Sequence, residues 1–114
     1  MVPVLDRELL QQALNRPVNW RGRSGRFYAL SPERLADFAL RGDELYLIAI
    51  GHNVLWAGSS RDVVNDPMSR ARFRLALTCA DRVFHVESSG DEIARMTIVW
   101  DLEGAEPVLG LNVA

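Results

Sequence analysis

Apolar residues along this chain change from helical spacing to alternation and back, and those changes mark its elements. From Asp6 to Leu14, the residues Leu9, Leu10, Ala13 and Leu14 share one side of a helix. Asp6 stands where it can cap the first turn, and Pro17 stops the pattern. Asn15 to Arg26 reads as a polar, glycine-containing loop with Trp20 embedded in it. Arg26 to Leu30 is a short β-like run. Ser31-Pro32-Glu33 then has the marks of a helix start: a capping hydroxyl, proline at the first helical position and an acid near the positive end of the dipole. The helix it predicts is brief, turning Leu35, Phe38 and Ala39 inward before Arg41-Gly42 ends it.

Glu44 to Ile50 is the strongest strand signal, and Gly51-His52-Asn53 separates it from a second β-rich run, Val54 to Gly58, which predicts a hairpin. Asp66-Pro67 opens another helix, running to about Ala80. At 100° per residue its apolar side is Met68, Ala71, Leu75 and Cys79, extended by Phe73, Ala76 and Ala80, with Arg70, Arg74, Thr78 and Asp81 opposite. Arg82 to Glu87 reads as a strand, Ser88 to Asp91 as a turn, and Ile93 or Arg95 to Leu102 as the returning strand of a second hairpin. Residues 107–114 read as an edge strand or an arm. The order predicts one α+β domain over residues 1–114. Its antiparallel sheet has about five strands in two hairpins, covered by three short helices, mainly on one face. Sheets of this kind often turn their other face to solvent or to a partner subunit.

Composition narrows the class. With 48% hydrophobic and 25% charged residues, the chain can bury a core without staples. One cysteine, Cys79, excludes an internal disulfide and fits a reducing compartment. No apolar stretch approaches the ~20 residues of a membrane-spanning helix, and the first residues lack the pattern of a signal peptide, so a cytoplasmic protein with no membrane partner is expected. All 13 basic residues are arginine, as a GC-rich bacterial type of genome would leave them. The net charge of −2 is unevenly spread, because the segment after residue 82 carries Arg95 against Glu87, Asp91, Glu92, Asp101, Glu103 and Glu106. Such polarity favours contact between unlike faces, whereas free nucleic-acid binding usually needs a more basic domain.

Three places carry candidate chemistry. Arg72 falls within the apolar sector of its helix, where an unpaired guanidinium is costly to bury; its stem packs while its head reaches an edge or meets a structural carboxylate, or it serves an interface or binds an anion. Trp20, with Arg21, Arg23 and Arg26 beside it, has the aromatic-plus-arginine composition of a contact surface, for a protein or for single-stranded nucleic acid. Gly58, Ser59, Ser60 and Arg61 follow a strand and offer amides, hydroxyls and a guanidinium to an anion, without the glycine pattern of a nucleotide loop. His52 and His85 lack the spacing of metal ligands, no nucleophile elbow is present, and neither a cofactor nor a catalytic residue is assigned.

Leu45-Tyr46-Leu47-Ile48, followed by Trp56-Ala57-Gly58-Ser59, resembles the two-strand signature of the GIY-YIG nucleases, with Glu44 where that family has glycine and Trp56 in place of its second tyrosine. The resemblance implies DNA cleavage at a metal ion by Tyr46, Trp56, Gly58, Arg61 or Arg70, and one of Glu87, Glu92 and Glu103. The leading expectation is instead a small non-catalytic module that binds a protein or itself, through the Arg72 side of its helix or the adjoining sheet. Nucleic-acid binding or processing is the alternative.

Overall fold

Two hairpins with no strand in common become one sheet because a later strand enters between them. In the computed structural model, which describes residues 16–88 and 90–109, strands β1 (Val18–Arg21) and β2 (Phe27–Glu33) form one hairpin. Strands β3 (Leu45–Ile50) and β4 (Asn53–Gly58) form the other, with Gly51 at φ 56° in its turn, a left-handed conformation that suits glycine. Strand β5 (Arg82–Val86) pairs antiparallel with β2 on one side and β3 on the other. The two-residue strand β6 (Glu106–Pro107) adds to β1, giving the order β4-β3-β5-β2-β1-β6. Helices α1 (Ser60–Asn65), α2 (Pro67–Cys79) and α3 (Glu92–Glu103) and a 3-10 turn at Leu35–Asp37 complete the α+β fold. No helix among the described residues is long and apolar enough to cross a membrane.

Alternation along β3 divides the core into two layers. Leu45, Leu47 and Ala49 face Trp20, Tyr28, Leu30, Phe84 and Val86, covered by Ile98 and Leu102 of α3. Tyr46 and Ile48 face Trp56 and Val83 on the other side, covered by Phe73 and Ala76 of α2 and by Leu35 and Phe38. The helices thus divide between the two faces rather than gathering mainly on one.

Both sequence-predicted hairpin strands, Glu44 to Ile50 and Val54 to Gly58, form as read, and so does the helix after Asp66, whose side chain accepts from the Met68 amide. The predicted helix Asp6 to Leu14 lies outside the described residues. Three expectations are corrected. The loop holding Trp20 is strand β1, and Trp20 is fully buried, with its ring edge-on to Phe84 at 5.6 Å. Ser31-Pro32-Glu33 continues β2 instead of opening a helix. Proline is tolerated there because β1 pairs only as far as Leu30, so no strand on that side needs the missing N–H. The presumed returning strand from Ile93 to Leu102 is helix α3, started by Asp91, which accepts from the Ala94 amide, and seated through Ile98, Asp101 and Leu102 at helical spacing.

A groove between two helices at the sheet edge

Helix α2 is rotated relative to its predicted apolar side. Ala76 is buried and Ser69, Phe73 and Ala80 are half-buried, whereas Met68, Ala71, Leu75 and Cys79 are exposed, with Met68 and Leu75 at 65% and 66%. Aromatic packing sets the rotation. Phe73 stands edge-on to Trp56 with ring centroids 4.8 Å apart, and Trp56 Nε1 donates to Ser69 Oγ at 2.9 Å. Arg72 is therefore turned out of the core, exposed beside Met68 and Leu75, and no carboxylate among the described residues pairs with it.

Helix α3 repeats this division. Its inner side buries Ile98, Asp101 and Leu102, and its outer side exposes Ile93, Met96 and Trp100 at 75%, 62% and 54%. The two helices flank β4, which has a strand neighbour on one side only. Between them runs a groove of about 210 Å³ with Trp56 and Ala57 at its base, Ser69 and Arg72 on one wall, and Arg95, Met96, Val99, Trp100 and Glu103 on the other. Edge strand β4 is itself blunted. Ile48 pairs with Trp56 and Ala49 with Val54, so Leu55 is an extra residue that bends the strand.

The arginine-rich turn is not such an open surface. Trp20 is in the core, and the flanking arginines are engaged within the chain. Arg21 pairs with Glu106 at 2.5 Å, Arg23 Nε donates to the Trp100 carbonyl at 2.9 Å with its guanidinium over the Trp100 ring, and Arg26 lies over the Tyr28 ring at 5.0 Å. Asp101, 3% exposed, organises the turn by accepting from the Ser24 amide and hydroxyl and from the Tyr28 hydroxyl at 2.6 Å. Burial alone would raise its carboxyl, but those hydrogen bonds and the nearby Arg26 charge outweigh it and hold it below its ordinary value. Burial, then the bond to Asp101 and its negative charge, push the Tyr28 hydroxyl up to about 12.

The residues expected to offer an anion site serve a short helix. Ser59 and Asp62 form a reciprocal capping box, with the Ser59 amide donating to Asp62 Oδ2 at 2.8 Å. The Ser60 hydroxyl donates to the Gly42 carbonyl, and a β-carbon on Gly58 would press on Asp62 and on the Trp56 ring. Arg61 pairs with Asp43 at 3.1 Å and with Glu92; the Asp43 charge, then that of Glu92, raises its pKa further.

Of the residues the nuclease resemblance names, Tyr46 and Trp56 share one face of the sheet, but Tyr46 is fully buried beneath Phe38, His85 and Arg41. Its hydroxyl has no hydrogen-bond partner among the described residues and opens on no groove described above. Arg70 donates to the Val63 and Val64 carbonyls, while Glu92 is paired with Arg61. His85 Nε2 lies 2.6 Å from Glu44 Oε1, and among the described residues no three His, Cys, Asp or Glu side chains are grouped to hold a metal ion. The groove was only partly visible in the sequence. Arg72 pointed toward it, but Met96 and Trp100 were hidden by reading their segment as a strand. No family model matches the chain, and neither the curated proteins nor the solved structures contain a significant match, so the groove has to be understood from its own residues.

Proposed function

We propose that this domain is a non-catalytic protein-binding module, docking a partner's amphipathic helical surface along the groove between α2 and α3. The observation that carries this reading is the lining of the groove, where Met96 and Trp100, 62% and 54% exposed, stand on the α3 wall and Arg72 on the α2 wall, with exposed Met68 and Leu75 four residues before and three after Arg72 on its helix. Scattered exposed apolar residues are ordinary, but a cluster that includes tryptophan and methionine around an arginine has the composition of an interface centre. Strand addition is the less suitable mode. The bulge blunts β4, and the opposite edge is the two-residue strand β6, which contains Pro107.

Photo-crosslinking in cells tests this reading. A benzophenone amino acid at Leu75 or Trp100 is expected to give a discrete adduct with a protein, weakened by Arg72→Glu, while the same group at exposed Arg34 gives none. Adducts no stronger at the helix positions than at Arg34 would reject the proposed surface.

A further inference from the structure

Resting on that reading, we infer that the docked segment is acidic: a partner helix that seats an apolar side chain over Trp56, beside Met96 and Trp100, and offers carboxylates to Arg72 and Arg23 at one end of the groove. The groove does not stop at Arg72. A second hollow, of about 280 Å³, shares Trp56, Arg72 and Glu103 with it and adds Arg23, Val54 and Leu55, so the two hollows meet at those shared residues.

The charges still unused along these hollows select the partner. Most of the ionic groups lining them are already engaged. Asp62 accepts from the Ser59 amide and Asp66 from the Met68 amide, Glu92 is paired with Arg61, and Arg95 donates to the Asp43 carbonyl. Neither Arg72 nor Glu103 has an ion-pair partner among the described residues, and Arg23 spends only Nε, on the Trp100 carbonyl. Where the hollows meet, two guanidiniums with unused donors therefore stand with one carboxylate, and the surplus is positive. A guanidinium is a planar fork that matches a carboxylate, so this end of the groove takes acidic side chains. Arg23 is also held in advance by that bond and by its place over the Trp100 ring at 5.2 Å, so less side-chain freedom is lost when a partner closes on it. Other anionic surfaces fit less well. A flat bilayer would not reach Trp56 at the base of the groove, and a phosphate chain would leave Met96 and Val99 without apolar contact.

Selection from a displayed library of helical peptides tests the inference. Each peptide has roughly 18 residues, a fixed leucine row, and Glu, Gln or Lys allowed at every flanking position. The wild-type chain is expected to enrich Glu on one flank, and the Arg72→Glu variant to enrich Lys there instead. For an enriched peptide, fluorescence anisotropy should show binding weakened roughly tenfold by Arg72→Glu. Arg23→Gln should weaken it less. Arg74→Glu is the control for non-specific attraction, because exposed Arg74 lies roughly 140° round α2 from Ser69 on the groove wall, and it should leave binding unchanged. Unchanged melting temperatures would separate these effects from unfolding. Enriched helices that are neutral or rich in Lys on the wild type, a preference indifferent to Arg72→Glu, or equal losses from Arg74→Glu would each overturn the acidic partner. So would a single-stranded oligothymidine that binds through Arg72 more tightly than any peptide. Helix-specific crosslinks in cells without acidic enrichment would sink the acidic partner and leave the protein-binding reading standing; absence of those crosslinks as well would sink both.

Discussion

The turn between β1 and β2 and the groove between α2 and α3 both combine arginine with tryptophan, and they use them in opposite ways. At the turn, Trp20 is buried and the polar groups close on one another: Arg23 on a backbone carbonyl, Ser24 and Tyr28 on Asp101, Arg21 on Glu106. At the groove, Trp100 is 54% exposed and Arg72 stands unpaired among the described residues. The same residue types are a structural clamp where partners lie within the chain and an exposed groove wall where they do not. Composition alone does not separate the two cases.

The sharpest way to break this contrast is to truncate its two tryptophans. Trp20→Ala should cost about 3–5 kcal/mol in denaturant unfolding, as removal of a fully buried aromatic does. Trp100→Ala should cost less than about 1 kcal/mol, because its side chain is half in solvent. Equal losses would show that the outer side of α3 is part of the core.

Asp101→Ala comes next, at about 3 kcal/mol, since it leaves the Tyr28 hydroxyl and the Ser24 amide without their acceptor. The sign of its pH dependence follows from the lowered folded value. Stability from this carboxylate is complete above the unfolded value near ~4 and fades as pH falls through the folded value, so the variant should show a flatter acid limb below about pH 4. Tyr28 works in the other direction. Its hydroxyl is raised to about 12, so its contribution is full below the unfolded value near ~10 and is lost as pH rises toward about 12. Burial also raises Tyr46, so neither of the two tyrosines should show phenolate absorbance at its ordinary pH while the protein is folded. A normal titration of one tyrosine would place a hydroxyl in solvent.

Gly22→Ala should cost about 1–3 kcal/mol by thermal unfolding, because its β-carbon would meet the Asp101 carboxyl group and push it off its partners. The smallest effect belongs to Arg21→Ala. Arg21 and Glu106 are 51% and 62% exposed, so their ion pair should change stability by no more than about 0.5 kcal/mol. A larger loss would mean that β6 depends on that pair.

The hairpin β3–β4 and the start of α2 were legible because their signals are local: a glycine turn between β-rich runs, and aspartate before proline. Helix α3 was not. Thr97-Ile98-Val99-Trp100 has strand-forming residues, and what makes it helical is the cap at Asp91 together with packing of Ile98 and Leu102 under a sheet assembled from distant segments. The rotation of α2 was hidden for a related reason, since Met68, Leu75 and Cys79 are as periodic as Phe73, Ala76 and Ala80, and the choice between these faces was made by Trp56. Trp20 was misread because polar Asn19 and Arg21 on either side look like a loop, although alternation around one buried residue also describes a short strand. At the candidate site, Arg72 was recognisable because it broke its helix's pattern, while its companions on α3 depended on tertiary structure.

The position of β5 also has a consequence in time. Hairpins β1–β2 and β3–β4 can each close early through short loops, but the edges of β2 and β3 that belong together remain open until β5 arrives from beyond α2. During synthesis those edges emerge well before the strand that seals them. The interval before β5 leaves the ribosome is therefore the stage at which the nascent chain is most exposed to pairing with the wrong neighbour.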